Sequence, residues 1–404
     1  MTKANPSGRT KPRRPRQAPW LVVAGGGTAG HVLPALAVAD TLVARGVMRS
    51  SIRFVGSERG VERRLVPAAG YALEMLSGRG LLRSMKPAAF VANIRSTFGL
   101  GLATARTTAS FVKHRPAVVL SVGGYASVPA AVAARFTRVP LVLAESNAVA
   151  GRSVRAFARY ASASAVAFEG TGLPRAVVTG NPVRREIVTL AASPANARRN
   201  ARVQFGLDLD AFVVTVFGGS LGARRMNEAV LGACELWATE DRALVVHHVV
   251  GERDLASAAE GRNAWLARHT DSSVRYEQVA YEDQMPLWYV ASDLVVCRAG
   301  ATSVADLAVL GVPAILVPLP SAAEDHQSAN ARRVAEDSAA IVVADRELTG
   351  DRLASEVTAL WSDPQRRQAF SEAQHRRARP DAGDAVADLV IRHARRPPPF
   401  ETAE

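Results

Sequence analysis

Two glycine-rich turns carry the clearest chemical signal in this 404-residue chain. They are Gly25-Gly26-Gly27-Thr28-Ala29-Gly30-His31 near the start and Gly218-Gly219-Ser220-Leu221-Gly222-Ala223 past the middle. Each follows an apolar run, Leu21 to Ala24 and Phe212 to Phe217, and precedes a helix-like stretch. That context lets backbone N–H groups and a helix N-terminus face a phosphate. Two such units imply two phosphate-facing domains across a cleft. His31 falls in the first turn of its expected helix, where the positive dipole end favours the neutral imidazole. A neutral histidine accepts a proton near pH 7, so His31 is a candidate general base; orienting a phosphate or the loop is the alternative.

Gly25, Gly27 and Gly30 also satisfy GxGxxG. A nicotinamide or flavin site would want an acid about 20 positions on, at the end of the second strand, to hold a ribose. The nearest is Glu58, which falls late. Asp208-Leu209-Asp210 fits the DxD pattern of a metal-held diphosphate, but it lies in a polar stretch just ahead of a strand and reads as a solvated loop.

The elements that must position these residues follow from patterning. A hydrophobic fraction of 48% with 22% charged residues describes a globular chain, long enough for two domains with cores of their own. From Leu21 to about Ile187, short apolar runs alternate with helix-like segments: Ile52 to Val55, Ala117 to Val122, Leu141 to Ala144, Ala165 to Phe168 and Ala176 to Thr179. Continuous apolar strands separated by helices predict a parallel, doubly wound α/β sheet. Leu190 to Phe205 carries no strand signal, which puts a linker between Asn181-Pro182 and there. The pattern restarts with Val213 to Phe217, Ala243 to Val246, Val274 to Glu277, Leu294 to Val296, Ala314 to Val317 and Ala340 to Val343.

The net charge of +13 leaves nucleic acid, an anionic membrane face and an anionic small substrate open. Residues 1–18 hold Lys3, Arg9, Lys11, Arg13, Arg14 and Arg16 with no acid, and read as a disordered basic arm. They lack the apolar region of a secretory signal. No stretch reaches the roughly 18 uncharged apolar residues of a membrane span. Cys234 and Cys297 are too few and too far apart for a disulfide framework or a CxxC metal site, which fits a reducing compartment.

Seven motifs occur in order: Gly25 to Ala35, Gly56 to Gly60, Gly123 to Pro129, Glu145 to Gly151, Gly180 to Arg184, Gly218 to Arg224 and Asp325 to Ala331. Together, over about Leu21 to Val343, the chain resembles the MurG family, the UDP-N-acetylglucosamine: N-acetylmuramyl-(pentapeptide) pyrophosphoryl-undecaprenol N-acetylglucosamine transferases of bacterial peptidoglycan synthesis. The resemblance implies a GT-B fold of two doubly wound Rossmann-like domains facing a cleft. It implies an acceptor- and membrane-binding domain over 19–187, a UDP-GlcNAc-binding domain over 188–380, and a helix over 381–393 returning to the first domain; the proline-rich end, 394–404, reads from its own composition as a loose tail. The implied reaction is inverting transfer of N-acetylglucosamine (GlcNAc) from UDP-GlcNAc to the muramic acid 4-hydroxyl of lipid I, giving lipid II and UDP. The implied location is peripheral, on the anionic cytoplasmic face of the cell membrane, with no cofactor, no metal and no nucleic acid.

Such a transfer needs a base for the acceptor hydroxyl and stabilisation of the departing diphosphate. By the resemblance, His31 and then Glu145 are the catalytic candidates, although Glu145 reads equally as a carboxylate capping a loop. Thr28, Ala29, Gly30, Asn147, Arg184 and Ser220 would contact the UDP-sugar, with the Arg184 guanidinium and helix N-termini taking the charge a metal otherwise would. Ala301, Thr302, Ser303, Val304, Ala305 and Asp306 match a donor segment whose final glutamate, here shortened to aspartate, holds the ribose hydroxyls. Gln327 matches a glutamine that reads the sugar, and the backbone of Glu282 one that reads uracil. The chain departs from the family in Ala144-Glu145-Ser146-Asn147, often His-Glu-Gln-Asn, and in Leu221, often glutamine. Leu81, Leu82, Met85, Phe90, Val91 and Ile94, interleaved with Arg79, Arg83, Lys86 and Arg95, form an apolar stripe with basic flanks that suits an anionic membrane. The rival readings are a GT-B transferase with another lipid or small-molecule acceptor, a UDP-GlcNAc 2-epimerase, and a module that only binds UDP-GlcNAc.

Overall fold

The computed structural model describes residues 18–58, 60–76, 87–219 and 222–401, with the backbone alone for 87–96. Seven parallel strands build the first sheet: β1 (Leu21–Ala24), β2 (Ile52–Ser57), β3 (Ala72–Leu76), β4 (Val118–Ser121), β5 (Leu141–Glu145), β6 (Ala163–Val166) and β7 (Ala176–Val178), in the order 3-2-1-4-5-6-7. The second has six: β8 (Phe212–Phe217), β9 (Leu244–Val249), β10 (Val274–Val279), β11 (Leu294–Cys297), β12 (Ala314–Leu316) and β13 (Ala340–Val342), in the order 10-9-8-11-12-13. Both are Rossmann-like, as the alternation of apolar runs and helices predicts. The central strands are buried on both faces, which is why they read as uninterrupted Val, Leu and Ala.

Each sheet has one point where strand order reverses, between β1 and β4 and between β8 and β11. Ligands of doubly wound sheets sit at that crevice, outside the carboxyl ends of the strands. The turns Gly25–Gly27 and Gly123–Gly124 flank the first crevice; Gly218, Gly219 and Gly222, with Arg298–Gly300, flank the second. Helices Ala29–Ala44 and Ala301–Leu310, which leave these crevices, touch across the domain boundary.

Several segments differ from the sequence expectation. β3 was not anticipated, because Ala72-Leu73-Glu74-Met75-Leu76 is a half-exposed edge strand without a continuous apolar run. The stretch between Asn181-Pro182 and Leu190, expected to hold the linker, already carries helix Arg185–Ala191; with helix Pro194–Gln204 it covers the second domain, and Val183, Ile187 and Ala201 belong to that core. The helix Ala382–His393 packs on Ala29–Ala44 and on the first sheet. The stretch after it, expected to be loose, is docked as far as Glu401. Trp20 Nε1 donates to the Arg396 carbonyl, Met48 N to Pro399, and Phe400 bridges to Val47. Residues 1–17 of the basic arm and the side chains of the apolar-basic stripe between Arg79 and Arg95 lie outside the described residues. Among the described residues no helix is long and apolar enough to cross a membrane.

Candidate active site

The first crevice is built by two glycine turns that interlock. A Cβ on Gly25 would lie 2.5 Å from the Gly123 carbonyl oxygen, and one on Gly124 2.5 Å from that of Gly26. Both glycines have positive φ, so any side chain would be strained as well as crowded. The helix that follows, Ala29–Ala44, has extended Thr28 as its N-cap, no side-chain cap and no acid in its first turn. Its 16 residues bring a full positive dipole end to the crevice, and Thr28, Ala29 and Gly30 supply the first N–H groups.

His31 stands in the first turn of this helix, as the sequence predicts. Its Nδ1 lies 3.1 Å from the Gly26 carbonyl oxygen. A carbonyl only accepts, so Nδ1 carries the proton and the neutral ring presents a bare Nε2. That nitrogen lies beside Gly123, 3.6 Å from where a Cβ would be. Burial pushes the imidazole below its ordinary value, the Glu145 carboxylate pulls it back in part, and His326 of the second domain again disfavours the charge. The helix end anticipated from sequence agrees in direction, but burial is the main cause.

Glu145, at the end of β5, is buried with both oxygens engaged: Oε1 accepts from Asn147 N and Nδ2 at 3.0 Å each, and Oε2 from Gly151 N at 2.8 Å. Of its two sequence readings, this is the geometry of a loop cap. Asn147 in turn accepts at Oδ1 from Asn330 Nδ2, 3.1 Å away in the second domain. Asn330 is wholly buried, also donates to the Ala299 carbonyl, and accepts from Ala148 N at 2.8 Å. One amide thereby joins the 145–151 loop to the turn after β11.

In the second crevice the helix Ala301–Leu310 begins at Gly300, again without a side-chain cap or an acid in its first turn. Ala301, Thr302, Ser303, Val304, Ala305 and Asp306 therefore form its opening turn and a half. Asp306 is buried, and its Oδ2 lies 3.8 Å from Arg184 NH2. Two residues that the resemblance assigns to separate parts of the donor thus meet, and each keeps an atom without a protein partner: Asp306 Oδ1 and Arg184 Nε, as does Thr302 Oγ1. Buried polar atoms are almost always paired, so this cluster fits a polar ligand. Burial pushes the Asp306 carboxyl up to about 7 against the pull of Arg184.

Gly222 in the second glycine turn has φ +79, and a Cβ there would meet Asp254 Oδ2 at 2.6 Å. Asn227 Nδ2 donates to Val250 O and Asp254 Oδ2, and His248, pushed down to about 3 by burial, bridges Asn227 to the Tyr276 hydroxyl. This polar network underlies the turn. Ser220 and Leu221 lie outside the described residues. Gln327 Oε1 accepts from Leu319 N at 3.0 Å, which leaves its amide nitrogen for a ligand. Glu282 turns its side chain inward, toward His247 Nε2 at 3.2 Å and Gln284 N at 2.7 Å, and keeps only backbone for a base. Asp208 and Asp210 are exposed ahead of β8, at the end of the strand opposite the glycine turn and roughly 20 Å from it.

Sequence reasoning missed Asn330, Asp254 and Glu62. Glu62 begins the helix Glu62–Ala68 after β2 and is buried beneath the first glycine turn. The signal for it was three glycines, Gly26, Gly56 and Gly60, crowded round one carboxylate, a proximity that only the fold creates.

The comparisons agree with this architecture. Residues 21–166 match the glycosyltransferase family 28 N-terminal domain and residues 213–386 its C-terminal domain. The UDP-N-acetylglucosamine--N-acetylmuramyl-(pentapeptide) pyrophosphoryl-undecaprenol N-acetylglucosamine transferase of Myxococcus xanthus is 35% identical over 377 residues, 92% of each chain. That of a Nocardioides species is 40% identical over 371 residues, 92% of this chain and 97% of its own. The crystal structure of Acinetobacter baumannii MurG superposes with a TM-score of 0.69 at 26% identity, covering 92% of this chain and 99% of that one. With both family 28 domains in order and such identity across nine-tenths of its length, the chain belongs to the MurG family of GT-B glycosyltransferases.

Proposed function

We propose that this protein transfers GlcNAc from UDP-GlcNAc to the muramic acid 4-hydroxyl of lipid I, releasing lipid II and UDP. The observation that carries this reading is the full-length likeness to transferases of that name. The geometry of the two crevices supports it. His31 Nε2 takes the acceptor proton as the hydroxyl oxygen attacks the anomeric carbon, and the bond to the diphosphate oxygen breaks with inversion. The two uncapped helix ends, at Thr28 to Gly30 and at Gly300 to Thr302, and the Arg184 guanidinium take the charge that develops on UDP. Asp306 accepts from the ribose hydroxyls, Gln327 Nε2 reaches the sugar, and the Glu282 backbone meets uracil. Ser220 would join the diphosphate site. Glu145 acts by holding the 145–151 loop and Asn147 in place, rather than as a base.

The acceptor is lipid-linked, so the first domain works at the anionic cytoplasmic face of the membrane. Phe98, Leu102 and Phe136 are exposed on the packed pair of helices Pro87–Lys113 and Ser127–Thr137, with Arg106, Arg135 and Arg138 among them. Apolar side chains amid arginines suit peripheral attachment to anionic lipid. UDP release tests the reading. Release that requires a short-chain lipid I analogue supports it; conversion of UDP-GlcNAc without any acceptor would instead favour an epimerase.

A further inference from the structure

The first glycine turn does not offer all its N–H groups to a ligand. Gly25 N donates to the Val55 carbonyl, and Gly27 N donates at 2.8 Å to Oε2 of Glu62. The other oxygen, Oε1, accepts from Ser57 N at 2.8 Å and Ser57 Oγ at 2.9 Å. Glu62 is 1% exposed and has no cation among these partners. Cβ atoms at Gly26 and Gly56 would lie 2.5 Å from its side chain, and one at Gly60 closer still. The loop after β2 and the loop after β1 have thus both given up side chains to admit one carboxylate.

That arrangement has a counterpart in the second domain. Asp254 stands at the start of the helix Leu255–Arg268, after the second strand of its sheet, and lies under Gly222 of the other glycine turn. In both halves an acid that follows the second strand lies under the turn after the first, although Asp254 accepts from Asn227 Nδ2 and Arg253 Nε where Glu62 accepts from the turn itself. In a dinucleotide site an acid at the end of the second strand holds a ribose; here Glu62 points inward, and its oxygens are already taken by N–H and O–H donors.

The residue that Glu62 grips is the neighbour of the one that orients His31. Gly27 N is held by the carboxylate, and the carbonyl of that same peptide, Gly26 O, accepts from His31 Nδ1 at 3.1 Å. We infer that Glu62 is a positioning residue: by fixing the Gly26–Gly27 peptide it aims that carbonyl at Nδ1 and so keeps His31 in the tautomer whose Nε2 is free. This rests on the reading of His31 as the base, but the tautomer itself exists whatever the reaction. In Glu62→Gln the side-chain amide has one acceptor oxygen for two sets of donors, so either Ser57 or Gly27 faces an NH2 group. The peptide then turns, and the carbonyl leaves Nδ1.

The test is 15N spectroscopy of histidine-labelled full-length protein, which distinguishes Nδ1–H from Nε2–H imidazoles, with His31→Gln used to assign the signal. The wild type is expected to show His31 as the Nδ1–H form, and Glu62→Gln to show a mixture or the other tautomer. Misplacing a base by about 1 Å lowers rate on the order of 100-fold, so kcat should fall between 10- and 100-fold by that measure. Should Glu62→Gln not fold, Gly60→Ala displaces the same carboxylate without altering its charge and is expected to do the same. An unchanged His31 tautomer with kcat within about twofold of wild type in a folded variant would overturn the inference. A tautomer change in a protein that transfers nothing to lipid I would leave the positioning role standing and sink the functional reading instead.

Discussion

At the scale of single residues, the proton acceptor and the groups that hold the donor are different side chains. His31→Ala removes the base but none of the donor contacts, so kcat is expected to fall about 100-fold or more with the UDP-GlcNAc KM nearly unchanged. Because the wild-type imidazole sits below 6.5, the acid limb of the kcat profile belongs below that pH. Asp306 sets a second limb. Its carboxyl titrates near 7, and only the ionised form accepts fully from both ribose hydroxyls, so the donor KM should rise as pH falls through 7. The stability effect runs the other way. A carboxyl whose folded value is raised from 3.8 contributes stability that is complete below 3.8 and lost as pH rises through about 7. Thermal denaturation between pH 4 and 8 should therefore show a decline in the wild type that Asp306→Asn lacks.

At the scale of elements, the glycine turns work because something beneath each of them is rigid. Gly222→Ala places a Cβ against Asp254 Oδ2 at a left-handed φ, and is expected to destabilise the protein by about 1–3 kcal/mol. UDP should then raise the melting temperature of the variant less than that of the wild type, a comparison made by calorimetry. Most elements were legible in the sequence because parallel strands buried on both faces are unbroken apolar runs, and every strand but β3 was read. β3 escaped because an edge strand such as Ala72-Leu73-Glu74-Met75-Leu76 buries little and needs no such run. The final segment was misread because its prolines hide an ordinary antiparallel bridge between Phe400 and Val47, a pairing between residues some 350 positions apart that local composition does not encode. For the site, the ligand-facing residues were legible through motif and resemblance. The supports were not: Glu62 reaches Gly27 N, Asp254 the Asn227 side chain and Asn330 the Ala148 N–H, all far off in sequence, and only packing brings them there.

At the scale of the whole molecule, two Rossmann-like halves must close on two substrates, one soluble and one anchored in lipid. Asn330 is a buried joint between them. It makes three hydrogen bonds with no exposure, two of them to the 145–151 loop of the other domain. Asn330→Ala should cost about 1–3 kcal/mol in urea denaturation, and should lower kcat as the loop loses its register. Membrane attachment is tested on the outer face of the first domain. Phe136→Ser removes an exposed apolar side chain worth about 1.5–3 kcal/mol when buried, so binding to anionic vesicles should weaken about tenfold or more while turnover of a water-soluble acceptor stays unchanged. Transfer of the sugar is the claim on which the rest depends. It is tested most directly by mass spectrometry of the acceptor after incubation of the protein with UDP-GlcNAc and a short-chain lipid I analogue. The account predicts an acceptor heavier by one N-acetylhexosamine residue, with UDP formed in equal amount and the new bond inverted. An unmodified acceptor alongside bound, intact UDP-GlcNAc, or a converted donor without transfer, would contradict it.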